Sequence, residues 1–197
     1  MKRFIIVQAV LFLCLGPCVS AQDLQVLSGD AAGKAVSAIN AANAGTASMQ
    51  ADFMQVKEMS IVKERMVSTG RMYYRDGSLR WEYLTPSRTV FITDREQLKS
   101  DRMFRNIAGM MMSAFMGIRL DDPAFEVTLY TPGTGYVADL VPRSRDLKRM
   151  FSRIRLHFGP DNRVGRVELE ESQGRTVITF SKVKFNQSLD PGLFLSK

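Results

Sequence analysis

Met66-Val67-Ser68-Thr69-Gly70-Arg71-Met72-Tyr73-Tyr74-Arg75-Asp76-Gly77-Ser78-Leu79-Arg80-Trp81-Glu82-Tyr83-Leu84 carries the pattern that decides the fold. Asp76-Gly77-Ser78 is turn chemistry, since Gly tolerates positive φ and Asp bonds its own backbone. On either side of it the side chains alternate with a period of two, as in a strand with one face on a core. After the turn, Leu79, Trp81 and Tyr83 share one face while Arg80, Glu82 and Leu84 share the other. Met66–Arg75 and Leu79–Leu84 are therefore read as two strands of a hairpin, and Pro86 ends the second.

The same rhythm extends in both directions. From Ser48, the residues Met49, Ala51, Phe53 and Gln55 alternate with Gln50, Asp52, Met54 and Val56. Further alternating runs cover Thr89–Thr93, Phe125–Tyr130, Gly135–Val141, Phe151–Phe158, Val164–Glu170 and Arg175–Lys184, each bounded by Gly, Pro, Asp or Asn. About nine strands, nearly all consecutive and joined by turns such as Gly159-Pro160-Asp161-Asn162, predict a mainly β (α+β) fold built on one antiparallel sheet, strongly curved or partly closed. Two segments have helical spacing instead. Asp30–Gly45 places Ala31, Ala35, Ala38, Ile39 and Ala42 on a repeat of three to four, after an Asp that could cap it and before a Gly that could stop it. Phe104–Leu120 is apolar almost all round, with Ile107, Met110, Met111, Met112, Phe115, Met116 and Ile118, so burial on more than one side is expected. Methionine adapts to apolar partners of varying shape. The concave side of the sheet, lined by Phe53, Trp81, Tyr83 and Phe91, could supply the surface such a helix needs.

The chain has 197 residues, 45% hydrophobic and 24% charged, which suits a globular domain and excludes a disordered or collagen-like chain. It opens with Met1-Lys2-Arg3, an apolar run from Phe4 to Leu15 broken only by Gln8, and Ser20-Ala21. This is the layout of a secretory signal, with cleavage expected after Ala21 and one domain over residues 22–197. The run is too short for a membrane span. A lipid-anchoring signal needs a small residue before its Cys, whereas Leu13 precedes Cys14 and Pro17 precedes Cys18. Those are the chain's two cysteines, so cleavage would leave no disulfide, thiol metal ligand or Cys nucleophile.

No catalytic constellation stands out. His157 is the one histidine, which rules out a multi-His metal site, and no G-x-S-x-G elbow supports a triad. Glu168 and Glu170 share a strand face at a spacing that glycoside hydrolysis could use. Arg163, Arg166 and Arg175 nearby make a solvated, mixed-charge sheet face the simpler reading. No catalytic residue, cofactor or metal is expected. The net charge of +7 comes from dispersed Lys and Arg, so nucleic acid is not expected as a partner. The densest basic group, Arg143, Arg145, Lys148, Arg149, Arg153 and Arg155, reads as a solvated loop and strand edge, or as a patch for an acidic protein or lipid phosphates.

Ala51-Asp52-Phe53-Met54-Gln55, Ser68-Thr69-Gly70-Arg71-Met72-Tyr73-Tyr74-Arg75, Leu79-Arg80-Trp81-Glu82-Tyr83, Pro86 and Phe91-Ile92-Thr93-Asp94 resemble the periplasmic outer-membrane lipoprotein carrier family, LolA. Phe185-Asn186 through Leu189-Asp190-Pro191-Gly192-Leu193-Phe194 is similar to that family's closing strand, and residues 96–184 match in element order. The resemblance implies an unclosed antiparallel barrel with helices covering a hydrophobic cavity. It implies a soluble, non-enzymatic periplasmic carrier and chaperone for acylated lipoproteins. Such a carrier is loaded by an inner-membrane lipoprotein-releasing transporter and unloaded to an outer-membrane acceptor or the outer membrane itself. A monomer is expected. Arg75 matches the family arginine that bonds the lid helices, although Asp76-Gly77 follows it where the family commonly has Pro or Lys-Pro. Phe53, Leu79, Trp81, Tyr83, Phe91, Met110, Met111, Phe115 and Met116 would then line the acyl cavity. The alternatives are a carrier or sensor of another acylated molecule, such as a glycolipid or pigment ester, and a hydrolase using His157 or the Glu168 and Glu170 pair.

Overall fold

The computed structural model describes residues 24–61, 64–93, 120 and 123–195. The expected signal segment, most of the Met-rich helix and, with it, Met110, Met111, Phe115 and Met116 lie outside these residues. The described chain forms strands β1 (Gln25–Leu27), β2 (Ser48–Met59), β3 (Arg65–Arg75), β4 (Ser78–Thr85), β5 (Thr89–Thr93), β6 (Phe125–Thr131), β7 (Tyr136–Pro142), β8 (Arg153–Phe158), β9 (Val164–Glu171) and β10 (Gly174–Phe185). Helix α1 (Gly29–Ala44), a short α2 (Arg145–Met150) and a 3₁₀ turn at Pro191–Phe194 complete it.

All ten strands form one sheet in the order β1-β6-β7-β8-β9-β10-β2-β3-β4-β5. Every pairing is antiparallel, and β1 and β5 are edges, so the sheet does not close on itself. Consecutive hairpins build β2–β5 and β6–β10, and the long β10–β2 ladder joins them, pairing Phe180 with Phe53. The β3–β4 hairpin turns where the sequence predicts it: Asp76 and Gly77 have φ of 49° and 89°, a conformation that Gly adopts freely and Asp better than most.

Alternation sorts the side chains as the pattern requires. One face carries Met49, Ala51 and Phe53 of β2, Met72 and Tyr74 of β3, Leu79 and Trp81 of β4, Leu140 of β7, Ile154 and Leu156 of β8, Val167 and Leu169 of β9, and Ile178 and Phe180 of β10. These are buried in one contiguous core, and Ala35 and Ile39 of α1 belong to it. Helix α1 therefore lies on this inner face with its Ala-rich stripe turned in, where small side chains permit close approach.

Four details differ from the expectation. Ser28 rather than Asp30 occupies the N-cap of α1, and Asp30 sits in its first turn, where a negative charge suits the helix dipole. Gly45 does end α1, but with φ of −95°, so no left-handed cap is used. The strand expected from Phe151 begins at Arg153, because residues 145–150 form α2 with the Ser144 hydroxyl accepting from the Leu147 N–H at 3.3 Å. Strand β1 was not foreseen, since three residues are too few to show alternation. Among the described residues, no helix is long and apolar enough to cross a membrane.

Candidate functional site

The inner face of β2–β5 carries an aromatic strip. Phe53 stacks on Trp81 with ring centroids 4.0 Å apart, and Tyr83 meets the edges of Phe53 at 5.4 Å and Trp81 at 6.2 Å. Phe180 of β10 adjoins Trp81 at 6.3 Å, and Phe91 of β5 adjoins Tyr83 at 6.2 Å. Stacked and edge-on pairs at these distances are the favoured arrangements of aromatic quadrupoles. The rings of β2 and β4 meet because Gly70 separates them on β3: a Cβ there would lie 2.3 Å from Phe53 Cζ and 2.1 Å from the Glu82 carbonyl oxygen. Glycine in a strand interior weakens the strand, and here it gives the Phe53 ring its bed.

Burial falls along the strip towards the sheet edge. Phe53 is 3% exposed and Trp81 6%, Tyr83 is half-buried, and Phe91 on edge strand β5 is 40% exposed. Leu79 lies on the same face nearer the β3–β4 turn and is buried. The polar atoms of the strip are few. The Tyr83 hydroxyl donates to Gln55 Oε1 at 2.9 Å, and the Trp81 indole N–H is buried with no acceptor among the described residues. Sequence reasoning assembled Phe53, Leu79, Trp81, Tyr83 and Phe91 but missed Phe180, whose place depends on a β10–β2 pairing that no local pattern announces.

Arg75 is held on the other side of the hairpin. Its Nη1 donates to the Leu189 carbonyl at 2.9 Å, its guanidinium lies 5.4 Å from the Phe194 ring centre, and its Nε is 3.7 Å from Asp76. Arg80 does likewise, donating to the Leu193 carbonyl at 3.1 Å. Among the described residues, the partners of Arg75 thus belong to the C-terminal segment and the turn, not to α1. Arg80 and Arg88 also bracket the buried Glu82, whose carboxyl is held below the usual carboxylate range by the Arg88 hydrogen bonds, more than burial raises it.

The hydrolase candidates lie on the outer face, built into an ion-pair network. Asp139 accepts a forked pair of hydrogen bonds from Arg155 at 2.6 and 2.7 Å, and Arg153 bridges Asp139 and Glu170. Glu168, 6% exposed, accepts from His157 Nε2 at 2.8 Å and from Arg175, and forms an ion pair with Arg166 at 2.8 Å. Burial pushes the Glu168 carboxyl up, but the Arg175 hydrogen bond and the charges of Arg166, Arg175 and His157 together hold it below its ordinary value. Burial pushes the His157 imidazole down, outweighing the pull of Glu168. Glu168 is thereby held ionised with no proton to give, and its neighbour Glu170 is tied to Arg153. Of the basic group singled out in the sequence, Arg153 and Arg155 are consumed here, while Arg145, Lys148 and Arg149 stand exposed on α2. A cleft of about 350 Å³ opens beside this network between Glu58, Ser60, Ser152, Glu170, Glu171 and Arg175. It is polar and separate from the aromatic strip.

No family model and no curated protein matches this chain. Among solved structures it is similar to a DUF1329 family protein from Desulfovibrio piger, with 11% identity and a TM-score of 0.40 over 84% of this chain and 96% of that one. It is similar to a putative outer membrane lipoprotein-sorting protein domain from Vibrio parahaemolyticus, with 11% identity and a TM-score of 0.39 over 82% and 94%. It is also similar to a LolA superfamily protein from Nitrosomonas europaea, with 10% identity and a TM-score of 0.35 over 84% and 97%.

Proposed function

We propose that this chain is a carrier that takes acyl chains of lipoproteins onto the inner face of its open sheet and ferries them across the periplasm between two membranes. The observation that supports it is the aromatic strip itself. It runs from buried Phe180 and Phe53 through Trp81 and Tyr83 to Phe91, exposed on an edge strand. An apolar surface that begins inside a core and ends at an open edge is a surface on which an apolar chain can be laid. Residues 48–95, which carry the resemblance to the lipoprotein carrier family, supply four of its five rings, Phe53, Trp81, Tyr83 and Phe91.

The energetics suit a carrier. Burying a methylene is worth about 0.8 kcal/mol, so a chain of about sixteen carbons holds its bearer to a membrane by roughly 12 kcal/mol. A carrier must offset most of this and still release its load. Ring faces and edges do so through many contacts, each contributing only ~0.1–0.2 kcal/mol per atom pair, with no single bond that must break at once. Binding rather than bond-breaking is the proposed activity, because the groups that could act in hydrolysis are tied into ion pairs on the opposite face. An inner-membrane lipoprotein-releasing transporter would load the chain, and an outer-membrane acceptor or the membrane itself would receive the cargo.

Native mass spectrometry of the protein recovered from the exported fraction tests this. Co-purifying diacyl or triacyl peptides are expected. A bound glycolipid or pigment ester would move the proposal to another acylated cargo. Failure of the purified chain to take up any long-chain amphiphile would overturn it.

A further inference from the structure

Among the described residues, the buried side-chain polar atoms left without a hydrogen-bond partner are Asn40 Oδ1, Arg80 Nε, Trp81 Nε1, Arg166 Nε and Arg175 Nε. The three arginines use their other N–H groups on Leu193, Glu82 and Glu168. Asn40 has a second polar atom, its amide nitrogen, with which to bond. Trp81 differs from all of these: its indole N–H is its one polar side-chain group, and it is idle. Buried donors are nearly always paired, because leaving one unmade forfeits a hydrogen bond to water with nothing in return.

The position of this donor is also particular. Trp81 stands one strand in from the sheet edge, in register with Phe91 on β5, and within the aromatic strip. The other polar pair nearby, Tyr83 and Gln55, is satisfied internally. A chain laid along the strip from the edge passes over Phe91 first and reaches Trp81 about one strand spacing later, ~4.8 Å further in. Methylenes arriving there leave the N–H as it is, whereas an oxygen acceptor completes it.

Resting on the proposal of an acyl carrier, we infer that Trp81 is the donor for the carbonyl oxygen at the head of a bound acyl chain. The recognised unit is then an ester or amide carbonyl with its hydrocarbon tail, rather than hydrocarbon alone. The indole N–H donates to that oxygen, Phe53 and Phe180 further in pack the methylenes that follow it, and Phe91 at the edge lies under the head side of the carbonyl. The site would discriminate acylated molecules from alkylated ones of the same length.

The chain's single tryptophan makes this directly observable. The ¹⁵N-labelled protein has one indole N–H resonance, and two matched probes are titrated against it: 1-palmitoyl lysophosphatidylcholine and its 1-O-hexadecyl ether analogue, which lacks only the carbonyl. The palmitoyl probe is expected to bind about tenfold more tightly and to move the indole proton downfield, and the ether probe to leave it near its free position. In Trp81→Phe, which keeps an aromatic ring at this position and removes the N–H, the tenfold preference should collapse to about one. Equal affinity of wild type for both probes, or an unmoved indole resonance when the palmitoyl probe is bound, overturns the role of Trp81 while leaving acyl binding standing. Binding of neither probe would overturn the carrier itself.

Discussion

The outer face of β7–β10 and the inner face of β2–β5 are made of the same kind of strand and use their side chains in opposite ways. Outside, four arginines pair with Asp139, Glu168 and Glu170, and His157 hydrogen-bonds Glu168. Inside, five rings touch one another, one donor has no acceptor among the described residues, and exposure rises towards an edge. Titratable groups normally draw the eye to a functional site. Here they are the finished part of the molecule, and the apolar strip is the unfinished part. Saturation is thus the better guide: a group whose valences are all met inside the fold has little left to offer a ligand.

The strongest way to break the contrast is at the deep end of the strip. Phe53→Ala empties the ring bed beside Trp81 and above Gly70, and should cost about 4 kcal/mol of stability in chemical denaturation. A cost under about 1 kcal/mol would mean that the inner face is not packed as described. Gly70→Ala would act through the same place, since its Cβ would meet the Glu82 backbone as well as the Phe53 ring.

Next comes the outer face. Glu168→Gln removes the charge shared by His157, Arg166 and Arg175, and should cost about 3 kcal/mol. The wild type supplies the matching pH test. Glu168 has a lowered pKa in the fold, so its stabilisation is present above its unfolded value of 4.5 and is lost as pH falls below it. His157 is also lowered, which means the unfolded chain takes up that proton first and stability begins to fall below 6.5. Melting temperature should therefore drop in two stages on acidification, and His157→Gln should abolish the upper one.

The extent to which these two faces were legible in the sequence follows from the range over which each is specified. The strip on β3 and β4 was readable because a Asp-Gly turn fixes the register of its flanking strands, so Leu79, Trp81 and Tyr83 had to share a face. Phe180 was not, since its neighbour Phe53 is far away in sequence and only the β10–β2 ladder joins them. Glu168 and Glu170 were recognised as a charged face, but their arginine partners come from three different strands, and alternation alone does not say which strands adjoin. Short elements such as β1 and α2 are specified by partners and caps rather than by period.

A smaller effect is expected where the two faces meet the C-terminal segment. Arg75→Leu loses the bond to the Leu189 carbonyl and the contact with the Phe194 ring, while the sheet keeps its pairing. With the side chain about one-third exposed (32%), the cost should be about 1 kcal/mol. Amide exchange across residues 189–195 should quicken about fivefold and exchange in β2–β4 should not change. If cargo hand-off also depends on this arginine, transfer of an acylated protein to acceptor vesicles should fall in the variant without loss of uptake.

The smallest effect on folding is expected at the exposed end of the strip. Phe91 shares the strip with Phe53 but is 40% exposed on an edge strand. Phe91→Ala should therefore cost less than about 1 kcal/mol, a quarter or less of the Phe53 value, because little packed area is removed. Its effect on a long-chain probe should run the other way. The exposed area of Phe91 can still be covered by a ligand, and losing one ring contact of about 1 kcal/mol should weaken palmitoyl binding about fivefold. Side by side, the two variants separate folding from uptake along a single row of rings: stability declines with burial and ligand affinity with exposure. Should Phe91→Ala bind the probe as well as the wild type, the cargo does not enter across β5, and the edge of the sheet is an edge and nothing more.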